Sequence, residues 1–239
     1  MTGLSDNSVP LGEMKSHALE VTVERRFAGG FSMNLGYTGL WVRERDFFFN
    51  EWDSLPTWRE SNDGRPHRLV GTALYELPFG RGRAMLQRGP LSWIAGGWQL
   101  GVTHEFQPGP LLGWGNLFYY GSDPAQTKQG ERALARWFNA DNFERSASKG
   151  PAEFHRRVFP TQIGGLRADK TSQWNVNVLR EFPLGDRARL QLRLDALNLQ
   201  NRSQFAGPDT NPYSTNFGRI TSQTATHNRF IQIQGRIRF

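Results

Sequence analysis

Five histidines are the side chains best suited to chemistry here, and their positions, 17, 67, 104, 155 and 227, give them nothing to do together. No two stand at the short spacing by which a strand or helix turns two imidazoles toward one metal. The absence of Cys removes thiolate ligands, thiol nucleophiles and disulfides alike. His104 precedes Glu105, but successive residues on a strand point to opposite faces, so the two cannot share a proton. There is no G-x-S-x-G and no Ser/His/Asp constellation. Gly80-Arg81-Gly82-Arg83 has the glycines of a phosphate cradle without its spacing, its Lys or its strand-to-helix context. The expectation is a chain with no enzyme activity, no cofactor and no metal. Recognition is the chemistry left. Trp114, Phe118, Tyr119, Tyr120 and Trp137 lie in an irregular stretch and offer flat faces for stacking on a sugar or an apolar ligand. Such rings serve equally to pack a loop against itself or to sit in an interfacial belt, and packing is the commoner role.

The elements that must carry these loops show a period of two. From Ile231 the odd positions run Ile231, Ile233, Gly235, Ile237, Phe239 and the even ones Gln232, Gln234, Arg236, Arg238, so a strand has one apolar and one polar face. Its length, about ten residues, is that of a tilted transmembrane β-strand. Six earlier segments alternate in the same way, at about 17–27, 31–41, 68–77, 93–107, 174–182 and 190–196. The connections alternate too: 28–30, 79–92 and 183–186 are short, whereas 42–65, 108–171 and 200–227 are long. Residues 1–16 read as loop, and 131–138 as a short helix within the longest connection.

Hydrophobic residues make up only 37 % of the chain while aromatics reach 13 %, a balance that suits a barrel whose strands turn one face to a polar lumen and whose rings gather at two membrane interfaces. No apolar run is long enough for a transmembrane helix. The net charge of +7 raises nucleic acid as a partner, but Arg189, Arg193, Arg236 and Arg238 alternate with apolar residues and are spread along strands instead of forming a patch. The expected fold is all-β: an antiparallel up-and-down transmembrane β-barrel segment with short periplasmic turns and long extracellular loops. The alternative is a soluble, sandwich-like all-β module that binds carbohydrate or another ligand through its aromatic loops. Met1 to Asn7 has neither the basic nor the apolar part of an export signal, which leads to the expectation that the chain begins within a longer protein.

Several motifs then fall in a telling order. Tyr75-Glu76-Leu77-Pro78-Phe79-Gly80 is followed by Gly96-Gly97-Trp98-Gln99-Leu100, Gln107-Pro108-Gly109-Pro110-Leu111, Trp137-Phe138-Asn139 and Phe217-Gly218-Arg219-Ile220. Together they resemble the C-terminal third of TonB-dependent outer-membrane receptors, closest to the Oar-like group with its carboxypeptidase-regulatory-like domain. Leu190 to Phe205, with Asn198, Asn201 and Gln204, is similar to that family's penultimate strand and its exit.

The resemblance implies that residues 1–239 are the C-terminal portion of a 22-stranded receptor barrel in the bacterial outer membrane, contributing about seven strands to the wall and loops to ligand uptake. The plug and the N-terminal strands lie outside this sequence. It implies outer-membrane lipid as surroundings, an imported ligand not specified by these residues, and contact with the TonB complex only through the plug. The closing aromatic strand resembles the signal read by the barrel-assembly machinery, which gives Ile233, Gly235, Ile237 and Phe239 a role in assembly.

Overall fold

The computed structural model describes residues 10–185, 187–224 and 228–239. Seven long strands dominate: β1 (Glu13–Ala28), β2 (Phe31–Arg45), β4 (Arg68–Glu76), β5 (Trp98–Gln107), β8 (Thr171–Pro183), β9 (Arg189–Leu197) and β10 (Phe230–Arg238). They lie side by side in that order, each antiparallel to the next, as an uncrossed meander. A two-residue strand, β3 (Arg59–Glu60), pairs with the end of β2, and β6 (Leu111–Gly113) with β7 (Gln162–Arg167) makes a separate small sheet inside the longest loop.

The register shows why the sequence alternates. Phe31, Tyr75, Leu100, Val178, Leu194 and Ile233 form one continuous rung across six strands. On the opposite face Glu24, Asn34, Thr72, Thr103 and Asn175 form another. A slip of one residue in any pairing would mix the faces, so the shared polarity of each rung specifies the register. Among the described residues no second layer covers the apolar face: Val21 is 46 % exposed and Ile233 76 %. A soluble sandwich buries such residues between two sheets. The sheet is open, with β1 and β10 as its edges.

Arg180 interrupts the apolar face, opposite Trp98 and Leu192. Its guanidinium donates to the carbonyls of Trp93 and Ile94 and lies 4.1 Å from the Phe182 ring centre. Those carbonyls end a short helix, α1 (Pro90–Ala95), at the short-turn end of the sheet.

Several element limits differ from the sequence reading, each for a local reason. β1 begins at Glu13 and β2 runs to Arg45, because Glu13 pairs with Arg45 in register and as an ion pair at 2.5 Å, which extends the first hairpin beyond its apolar residues. Trp93 belongs to α1 and not to β5: Pro90 starts the helix and Gly96-Gly97 stops it. A Cβ on Gly96 would sit 2.8 Å from the Gly80 Cα, so the two glycines allow the 79–97 turn to close on itself. Residues 131–138 are not helical; Arg132 has a φ of 57° and an Ala133–Arg136 bridge makes a tight turn instead. Asp186, in the 183–186 turn, and His227 lie outside the described residues.

Candidate loop-borne binding site

The long loops at the other end of the sheet form a folded cap. Its centre is Trp114, 4 % exposed, ringed by Phe138 at 4.9 Å, Phe159 at 5.4 Å and Phe143 at 5.6 Å between ring centres. Phe217 comes from the loop that follows β9 and closes on Phe143 at 5.0 Å. These edge-to-face and stacked pairs exclude water with only the small β6–β7 sheet beside them, each adding about 0.5–1.5 kcal/mol beyond area burial.

Polar clasps tie the loops together. The Arg167 side chain is buried, pairs with Glu60 of β3 and donates to the Gly109 carbonyl at 3.0 Å. Glu60 also accepts from the Gly165 N–H at 3.0 Å. Arg145 donates to the Ser214 carbonyl at 2.7 Å, and the Asn50 side chain accepts from the Arg157 N–H at 2.6 Å. The backbone of the long loops thus finds partners across more than one hundred residues of sequence, Asn50 to Arg157 being 107 apart.

Of the clefts that open on this cap, two bear on recognition. One, of about 440 Å³, is lined by Phe48, Trp52, Asn116, Phe154, His155 and Arg156 among others. Trp52 is 91 % exposed at its rim, and Phe154 is nearly as open. Arg157 crosses its floor, donating to the Trp114 and Gly115 carbonyls at 3.1 and 3.0 Å, and burial lowers its guanidinium pKa. The second, of about 720 Å³, lies between the cap and the end of β5 and includes Phe106, Arg132, Trp137, Lys170 and Phe205. Both have the size of small-ligand sites.

The five aromatics singled out in sequence separate into different surroundings. Trp114 is core, with no face open to a ligand. Tyr119 packs on Phe143 and Phe159. Phe118 stands edge-on to His155, beside the first cleft. Tyr120 is exposed and donates its hydroxyl to Glu144 at 2.9 Å. Trp137 lines the second cleft, its indole N–H held by the Arg167 carbonyl at 2.8 Å. Trp52 and Phe154 are the two most exposed rings of the first cleft, and sequence reasoning did not single them out as ligand contacts. The run Phe47-Phe48-Phe49 before Trp52 was a signal for the first, whereas Phe154 takes a φ of 62° in a turn that nothing in its neighbours announces.

At the end of the sheet, Ile233 and Ile237 are exposed on the apolar face of β10, and a Cβ on Gly235 would meet only the Leu192 side chain at 3.8 Å. On the polar face Arg193 chelates Asp195 with both contacts at 2.9 Å, and Arg238 reaches Glu181 at 3.5 Å. Among the described residues no group of three or more His, Asp or Glu is placed to hold a metal ion.

Residues 6–232 match a family model described as an outer membrane beta barrel domain. No curated protein and no solved structure matches the chain.

Proposed function

Because the chain belongs to the outer membrane beta barrel domain family, and so to the bacterial outer membrane, we propose that it is barrel wall and extracellular ligand-capturing loops of a TonB-dependent receptor. The observation that carries this reading is a seven-strand wall with two unpaired edges beneath a cap with its own core. Unpaired strand edges are not tolerated in hydrocarbon, so β1 and β10 need further strands, and a large barrel supplies them. The first of the two clefts on the cap lies among the long loops, where capture of a ligand from outside requires it. Trp52 and Phe154 offer stacking faces there, which favours a sugar or a flat apolar group.

The reading contains no catalytic step and no cofactor. β10, with Ile233, Gly235, Ile237 and Phe239, is the segment offered to the assembly machinery. The ligand passes inward by energy delivered through a plug. The soluble alternative has no support in a sheet whose apolar face is uncovered.

Isolation of the native species from outer membranes tests the proposal. A barrel of about 22 strands that contains a plug with a TonB-contacting segment is the expected result. A small closed oligomer of this wall, without any plug, would overturn the receptor reading and leave the barrel standing.

A further inference from the structure

The second cleft has a position that ligand capture from water does not explain. By strand alternation Phe106 lies on the apolar face, in the rung with Leu69 and Ser172. Lys170 reaches the same side from the start of β8, its Nζ 5.7 Å from the centre of the Phe106 ring. One step nearer the middle of the sheet His104 and Trp174 stack at 4.0 Å and continue the flat surface. The cleft therefore opens sideways, at the long-loop end of the face that meets hydrocarbon. In an outer-membrane barrel that is the level of the outer leaflet's headgroups.

Its charges are arranged for an anion. Arg132 stands 5.9 Å from the Trp137 ring centre, and no acidic partner of Arg132 or Lys170 is found among the described residues. Burial lowers the Arg132 pKa, which marks a cation partly stripped of water. The one carboxylate in the cleft, Asp169, is already engaged by Arg202 at 2.6 Å and by the Phe205 N–H at 3.2 Å. Apolar walls from Leu134, Trp137 and Phe205 complete the space.

We propose that this lateral cleft binds a phosphate-bearing lipid of the outer leaflet, its headgroup phosphate held by Arg132 and Lys170 and its acyl chains lying along the apolar face below Phe106. Arg supplies a planar fork of donors and Lys a compact charge, the two ways in which side chains grip phosphate. The rings of Phe106 and Trp174 cover the first part of the chains, and the whole lies where a membrane lipid arrives by lateral diffusion. The inference rests on the outer-membrane location and is independent of the receptor reading.

The test uses protein purified from outer membranes and placed in lipid nanodiscs of phosphatidylcholine doped with lipid A, or with lipid A stripped of its phosphates. Bound lipid is counted by native mass spectrometry after detergent release. Wild-type protein is expected to retain the phosphorylated lipid and not the stripped one. The double variant R132Q/K170Q is expected to lose about tenfold or more of that retention, two charges near a membrane surface each being worth about 1 kcal/mol. R136Q/R219Q, which removes two cap charges outside both clefts, is expected to retain it. Equal retention by all three proteins overturns the proposal. So does displacement of the lipid by soluble glucosamine phosphate at matched concentration, which would make the cleft a site for a free anion. Unchanged heat-modifiable migration of each variant shows that the barrel is folded.

Discussion

The sheet and the cap use apolar residues in opposite ways. In the sheet Ile233 is 76 % exposed, while in the cap Phe138 is fully buried. A protein folded in water alone places its largest contiguous apolar surface inside. Here the contiguous surface lies outside and lipid supplies its contacts, whereas the loops, which stand in water, must build a core for themselves. One chain is thus fitted to two solvents, and the boundary between them runs along the ends of β5 and β8, where the lateral cleft sits.

Substitutions that respect one solvent and offend the other sharpen this contrast. Phe138→Ala empties the centre of the cap and should cost about 3–5 kcal/mol of cap stability. Proteolysis on intact cells is expected to cleave the long loops rapidly, while the barrel keeps its heat-modifiable migration. If the barrel fails together with the cap, the two regions are one cooperative unit and the contrast is lost. Ile233→Arg should cost about 2–4 kcal/mol in the membrane, the penalty for a cation on the lipid face near mid-depth. Gln232→Arg, one residue back, points to the polar face opposite Asp195 and should be nearly silent. Refolding yield into vesicles measures both, and equal yields would refute the assignment of faces.

Glu60→Ala leaves the buried Arg167 guanidinium without its carboxylate and should cost about 2 kcal/mol, the scale of a hydrogen bond to a charged group. Proteolysis of the 108–171 loop at lower urea would report it. The smallest effect is electrostatic. The Ser146 N–H, and then the Tyr120 hydroxyl, favour the ionised form of Glu144 and lower its pKa below the ordinary 4.5. The same bond raises Tyr120. A lowered carboxyl stabilises the fold above its unfolded pKa and loses that contribution as pH falls through the folded value. The 144–146 turn should therefore become protease-sensitive only in strong acid. Glu144→Gln should abolish that dependence while keeping an acceptor.

Period two made the wall legible in sequence, because a strand half in lipid and half in a polar lumen must alternate. The apolar choices at Leu100, Val178 and Leu194 were enough to predict one face of each strand, and the register joins these faces into a rung. The helix expected at 131–138 failed because good helix formers such as Ala133 and Leu134 give way to a turn tied to distant chain, the Ile220 N–H reaching the Leu134 carbonyl at 2.8 Å. The aromatic loops were visible as composition only. Trp114 and Trp137 look alike in sequence, yet one is core and the other faces a cleft.

The sequence by itself determined the seven long strands, their faces and, from where the alternation stops, the short and long connections, since the pattern follows from neighbours two residues apart. Only the tertiary structure decided which rings are buried, which cations have no acidic partner among the described residues and where the clefts open. Those depend on contacts such as Arg167 with Glu60, 107 residues apart, and local pattern carries no record of pairings made across such a distance.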